Sequence, residues 1–168
     1  ADTSDFFPAL ENRERGLEIA LEWSRTARRL DSDFDISVGF INGKRCLGGF
    51  LELMTHCHFV IALEEAQVGM PEVTLPVVPG MEGCHWTFRR TDIRDWPKLI
   101  KMLLGGAMLP ARDTVGWLLD YAAPLDEALA MVWKVASGHA HPLARRPVDS
   151  HPLKPISAEV HLSDGNGA

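Results

Sequence analysis

No apolar run in this chain approaches the roughly 18 residues of a membrane-spanning helix, and its first residues lack the pattern of a secretory signal. The expectation is therefore a cytoplasmic location with no membrane partner. Cysteine is scarce: Cys46, Cys57 and Cys84 are odd in number and irregularly spaced, which argues for free thiols over a disulfide framework. Excess positive charge is missing too. Lys and Arg total 17 against 23 Asp and Glu, a net charge of −6, so nucleic acid is not an expected partner, because binding it needs a basic surface. Lys44-Arg45, Arg89-Arg90 and Arg145-Arg146 are local candidates for a phosphorylated ligand, although such pairs are more often solvated surface. There is no Gly-x-Ser-x-Gly elbow. Gly105-Gly106 lacks the spacing of a nucleotide loop, and no internal repeat is found.

What is present fits one globular domain: 168 residues with 46% apolar content. Asp2-Thr3-Ser4-Asp5 supplies capping residues, and a helical pattern runs on to about Leu30, its apolar face carried by Leu10, Leu17, Ile19, Leu21, Trp23 and Leu30. Asp35 to Ile41 alternates as a strand and turns at Asn42-Gly43. Two prolines exclude an interior helix between Thr74 and Gly80. Helical spacing returns from Trp96 to Leu104, near Pro110, and from Leu125 to Ser137, where Leu125, Ala128, Leu129, Val132 and Ala136 repeat. Residues 139–168, with Pro142, Pro147, Pro152, Pro155 and four histidines, read as an extended tail. The alternation of strands and helices predicts an α/β fold.

The chain is organised around Gly48 to Glu72. Gly48-Gly49 stands where an extended run ends at Leu47 and a helix begins at Phe50. The first amides of a helix lack intrahelical acceptors and sit at its positive end, so the Gly49 N–H is a candidate donor to a developing oxyanion. Glu52 falls in the first helical turn. Glu72 follows an extended segment, Val68-Gly69-Met70-Pro71, so two carboxylates can converge on one pocket. Taken singly, a Gly-Gly is usually a turn, a first-turn Glu a solvated dipole partner, and Pro-Glu a loop. His56-Cys57-His58 suggests a metal site only by composition, since neighbouring side chains diverge, and adjacent Cys84-His85 cannot readily form a nucleophile pair.

In this order and spacing, the pieces resemble the crotonase superfamily of enoyl-CoA hydratases and isomerases. Ile41-Asn42-Gly43 and Leu47-Gly48-Gly49-Phe50-Leu51-Glu52-Leu53 are similar to its Asn-Gly and Gly-Gly-Gly-x-Glu-Leu signature. Phe59-Val60-Ile61-Ala62 and Val68-Gly69-Met70-Pro71-Glu72 resemble its next strand and Phe-Gly-x-Pro-Glu segment, and Pro79-Gly80-Met81-Glu82-Gly83 its Pro-Gly-x-Gly-Gly loop. Later blocks, Leu104-Gly105-Gly106, Ala111-Arg112-Asp113 and Val115-Gly116-Trp117-Leu118, extend the likeness over about 100 residues. Phe50 and Glu82 stand where the family has glycine. Ala1-Asp2 resembles the end of the Ala-Gly-x-Asp loop, whose earlier alanine would give the second oxyanion amide.

The resemblance implies a spiral of strand-strand-helix turns followed by C-terminal helices, with residues 1–138 as the C-terminal portion of such a domain and the N-terminal part of the fold absent. It implies an acyl-CoA enzyme in which Glu52 and Glu72 hydrate a 2-enoyl thioester, with Gly48, Gly49, Ala1 and Asp2 around the acyl oxygen. Coenzyme A enters as part of the substrate, with no other cofactor and no metal. Family assembly as trimers or hexamers implies a homo-oligomer, and the opening within a loop implies a need for an upstream segment or companion chain. Double-bond isomerisation, acyl-CoA hydrolysis and a noncatalytic acyl-CoA-binding module remain alternatives.

Overall fold

The computed structural model describes residues 12–75 and 77–153; the expected helical start at Asp2 to Glu11 and the candidate site residues Ala1 and Asp2 lie outside them. Helix α1, Arg13–Ser32, starts where Asn12 accepts a hydrogen bond from the Arg15 N–H at 3.1 Å. Its apolar stripe does not enter the core. Leu17 and Leu21 stay exposed and Ala27 is its one residue classed as buried, because α1 lies against the body through its C-terminal third. There Arg28 pairs with Glu82, and Asp31 receives His58 Nε2 on its carbonyl oxygen at 2.8 Å.

Strands β1 (Val38–Ile41) and β2 (Arg45–Leu47) follow, then helix α2 (Gly49–Thr55), strands β3 (Phe59–Leu63) and β4 (Gln67–Gly69), and a 3₁₀ turn at Pro71–Thr74. The Asn42-Gly43 turn makes no hairpin. It sends β1 and β2 into different sheets, and β3 and β4 repeat the move, so that β1 pairs with β3 and β2 with β4, both parallel. This is the strand-strand-helix winding. Helix α3 (Trp86–Arg90), helix α4 (Trp96–Gly105), strand β5 (Met108–Pro110), strand β6 (Tyr121–Ala123) and helix α5 (Leu125–Ala136) complete the described elements, apart from short 3₁₀ turns. The sheets are ordered β1-β3-β6, all parallel, and β2-β4-β5, with β5 antiparallel on β4. The α/β expectation holds.

Strand β3 is apolar on both faces because both are covered. Val60 and Ala62 join the core formed with Leu51, Val68, Met70, Leu99 and Leu119, while Phe59 and Ile61 face a second core shared with Ala128, Met131 and Val135 of α5. The inward face of α5 is thus shifted from the expected one. Leu125 and Leu129 point outward with Trp133, which is 59% exposed, since a helix apolar on two sides does not tell which side docks.

The helix expected near Pro110 is replaced by β5, a 3₁₀ turn at Ala111–Thr114 and a loop. Trp117, Leu118 and Leu119 are buried in succession, which a single helical face cannot achieve, and Asp120 turns its carboxylate onto the Val60 N–H at 2.7 Å. Residues 139–153 form no helix or strand but lie across the body: Arg146 donates to the carbonyls of Trp117 and Leu118, and Leu153 packs on the core. Among the described residues no helix is long and apolar enough to cross a membrane.

Most of the basic pairs are engaged internally. Arg89 holds the carbonyls of Asp149 and His151, Arg145 pairs with Asp31, and Arg146 meets Asp120 at 2.8 Å. Arg90, 7% exposed, donates to the carbonyls of Thr55, Cys57 and His58 just past the end of α2, a cation at a helix C-terminus. Lys44-Arg45 alone among the three pairs has both residues exposed. Arg90→Leu strands those buried carbonyls and is expected to lower unfolding stability by roughly 3 kcal/mol. A urea melt checks this, and Arg90→Lys, lacking the planar fork, recovers only part of the loss.

Candidate active site

Gly48 turns the chain from β2 into α2 with φ 57°, ψ −137°, a conformation natural to glycine. A Cβ at this position would also lie 2.8 Å from Glu72 Oε1. The Gly48 N–H is spent on the Gly69 carbonyl at 2.9 Å, so Gly48 shapes the turn without offering a donor. Gly49, the first residue of α2, has no acceptor for its N–H within the helix. Phe50 beside it is exposed.

Glu52 sits in the first turn of α2 and is 1% exposed. A carboxylate there needs donors, and they come from a loop thirty residues on: Oε2 accepts from the Met81 N–H at 2.8 Å and the Gly83 N–H at 2.7 Å. Gly83 must be small, because a Cβ would come within 2.9 Å of Glu52 Cγ, Glu52 Oε2 and Met70 Sδ. Burial outweighs these bonds, and with the added repulsion of Glu72 it pushes the Glu52 carboxyl up to about 7.

Glu72 lies in the 3₁₀ turn that follows β4, with Pro71 at its start. It is half-buried, with Oε1 beside Gly48 and with Oε2 buried and without a hydrogen-bond partner among the described residues. Its burial raises this carboxyl as well. The two glutamates 20 positions apart are therefore electrostatic neighbours across Gly48-Gly49. One carboxyl is anchored by two amides from a distant loop and the other is not. Two neighbouring carboxyls, both raised by burial, oppose simultaneous ionisation.

The loop residues that hold Glu52 carry little sequence signal, since they act through main-chain N–H groups. Glu82 between them is the one non-glycine residue at positive φ among the described residues, at 72°, and it fills a place where the resemblance expects glycine. Cys84, exposed, feels both glutamates: burial, then the charges of Glu52 and Glu72, raise its thiol. His56 does not gather with Cys57 and His58. Its ring stacks on Trp86 at 4.3 Å with Nδ1 at 2.9 Å from the Glu52 carbonyl oxygen, while His58 faces Ser37 and Asp31.

The chain is 40% identical over 96 residues to a peroxisomal fatty acid beta-oxidation multifunctional protein of Oryza sativa subsp. japonica, covering 56% of this chain and 13% of that protein. It is 40% identical over 96 residues to a probable enoyl-CoA hydratase of Rhizobium meliloti, covering 54% of this chain and 36% of the relative. An enoyl-CoA hydratase structure from Geobacillus kaustophilus superposes with a TM-score of 0.72 at 20% identity, over 82% of this chain and 51% of that one. The chain thus spans well under half the length of these two sequence relatives and about half of the structural one. No family model matches it.

The raised Glu52 carboxyl sets a sign for stability against pH. A group whose folded value lies above its unfolded one stabilises fully below the unfolded value, near 4.5, and loses that contribution as pH rises through about 7. The loss amounts to roughly 3 kcal/mol at 1.36 kcal/mol per pH unit. Glu52→Gln keeps an oxygen for both amides and removes the charge, so the variant is expected to gain on the parent by up to that amount between pH 5 and pH 8. The difference between the two urea-unfolding curves reads Glu52 together with its coupling to Glu72, because His56 and His85, both lowered by burial, act with opposite sign in the parent and the variant alike.

Proposed function

We propose that this chain, a relative of the enoyl-CoA hydratases with the crotonase fold, carries the acid-base centre that adds water across the double bond of a 2-enoyl-CoA thioester. The observation that carries the reading is the pair of neighbouring carboxyls beside a helix-start amide, Glu52 buried and amide-anchored, Glu72 half-buried with one oxygen unpartnered among the described residues. In this mechanism the Gly49 N–H receives the thioester oxygen as charge develops on it, a contribution of about 10²–10³ in rate per donor. Glu52, fixed by Met81 and Gly83, accepts a proton from the attacking water. Glu72 delivers the proton to the α-carbon. The chemistry needs no metal and no cofactor beyond the coenzyme A of the substrate.

A second oxyanion donor and the groups that hold the adenine end of coenzyme A belong, in this proposal, to an upstream segment or a companion chain; Ala1 and Asp2 would border that donor. Homo-oligomers complete the proposed assembly. The outward row of Leu125, Leu129 and Trp133 on α5 supports such an interface, recurring every four residues along one exposed face.

Two measurements test these readings. In the natural full-length protein, Glu52→Gln or Glu72→Gln is expected to slow hydration by about 10²–10⁴, with acyl-CoA affinity nearly unchanged by calorimetry. The double variant should cost much less than the product of the single effects, since the two act on one water. Intact hydration in Glu52→Gln, with Glu72→Gln impaired, would replace the two-carboxylate mechanism with a one-carboxylate, isomerase-like one, and full activity in both variants would refute the site. For assembly, light scattering at micromolar concentration is expected to give a mass of three or six chains, reduced by Trp133→Glu; a monomer in the parent protein refutes the interface.

A further inference from the structure

Glu82 is a residue out of place by local preference. Its left-handed backbone, φ 72°, strains any side chain with a Cβ, yet the conformation is what turns the N–H groups on either side of it, Met81 and Gly83, toward the same oxygen of Glu52. Its carbonyl then accepts from the N–H groups of His85 at 2.9 Å and Trp86 at 2.7 Å, opening α3, whose Trp86 stacks on His56 behind Glu52. Some other interaction must hold this turn.

The holding group comes from α1. Arg28 grips the Glu82 carboxylate with two bonds, Nε to Oε2 at 2.8 Å and Nη2 to Oε1 at 2.7 Å, the bidentate geometry that fixes orientation best. Burial alone would raise the Glu82 carboxyl, but the Arg28 bonds outweigh it and keep the group ionised below the usual carboxylate range. A Cβ built on Gly80 would lie 3.6 Å from the Trp23 ring, one turn earlier on α1, so the helix touches the loop at two points. The rest of α1 is largely solvent-exposed. His56 Nε2 lies 3.7 Å from Glu82 Oε2 and His85 Nε2 3.9 Å from Oε1, and both rings are held neutral-leaning by burial.

We propose that the Arg28–Glu82 pair is a latch by which α1 fixes the Met81–Gly83 loop on Glu52, making Arg28 and Glu82 positioning residues for the acid-base centre. The proposal rests on Glu52 being the group that works on substrate, but the latch itself is a statement about Glu52 and two amides, and it is testable without turnover. When α1 lets go, the turn relaxes toward right-handed backbone, the two amides swing away, and the Glu52 carboxyl loses the bonds that favour its charged form. Undocking of α1 therefore reaches the reaction centre without any residue of α1 touching substrate.

The experiment is an NMR titration of the 168-residue chain carrying ¹³C-labelled glutamate and ¹⁵N amides, from pH 4 to pH 9, following the Glu52 carboxyl and the Met81 and Gly83 amides. In the parent both amides are expected to move with Glu52 ionisation. Arg28→Met and Arg28→Ala, at an exposed position, should keep the helical circular dichroism, raise the Glu52 midpoint by about 0.5–1 pH unit, and abolish the amide response; Arg28→Lys should restore part of both. An unmoved midpoint overturns the latch. So does a moved midpoint with the amide response intact, which is a through-space charge effect alone. In the full-length protein the acidic limb of the hydration profile, set by ionisation of the base Glu52, should shift upward with the midpoint. Absence of hydration in the parent sinks the proposed function while leaving the titration to judge the latch.

Discussion

A carboxylate closed off from water must either find donors or hold its proton, and Glu52 is placed so that it nearly does both. Two amides favour its charge while burial and Glu72 oppose it, leaving a balance near neutrality that small movements can tip. Much of the surrounding structure serves that balance. Gly48 bends the chain so that α2 begins at the right point, Gly83 lets main chain come within contact of the carboxylate, and Met70 and Met81 close the apolar side. Glu72 reaches the neighbourhood of Glu52 and Gly48 from the adjoining strand because β2 and β4 run parallel, with Leu47 beside Gly69. The site is thus the common end of two adjacent strand-to-helix transitions.

The far end of α2 is governed by the same physics with the opposite sign. There, carbonyls without helical partners turn inward, and Arg90 supplies a buried cation to them. Its neighbour in charge, Arg146, comes from the segment after α5 and is neutralised by Asp120, whose other oxygen holds the Val60 N–H of the central strand. A seven-residue helix is therefore pinned at both ends by groups far away in sequence. Its own propensity would not hold it in place.

Legibility in the sequence followed the range of the interactions. Gly48-Gly49, Glu52 and Glu72 stood out because turn, helix start and carboxylate are encoded within a few residues, and α4 and α5 because their apolar spacing is periodic. The faces of α1 and α5 were harder. Leu17, Leu21, Leu125 and Leu129 satisfy a helical pattern yet remain exposed, since period reports that a face is apolar and not what covers it. Trp117-Leu118-Leu119 departs in the other direction, lying in a buried loop where a helix beginning near Pro110 is expected. The donors to Glu52 were invisible for a simpler reason: they are backbone amides, and the pair that holds them joins residues 54 apart. Glu82 was noticed as a departure from glycine, but only its dihedral angle shows that it keeps glycine's conformation.

The parallel order of the first sheet also bears on how the chain reaches this state. β3 pairs with β1 across about 21 positions, Val38 with Phe59, but waits for β6 across 60, Ile61 with Tyr121. During synthesis the second edge of Phe59-Val60-Ile61-Ala62-Leu63, the most apolar strand of the fold, emerges well before its partner. Closing so long a loop is slow, and an unpaired apolar edge is open to association with other nascent chains in the interval. Asp120, which bonds the Val60 N–H directly ahead of β6, is placed to seal that edge at the moment the partner strand arrives.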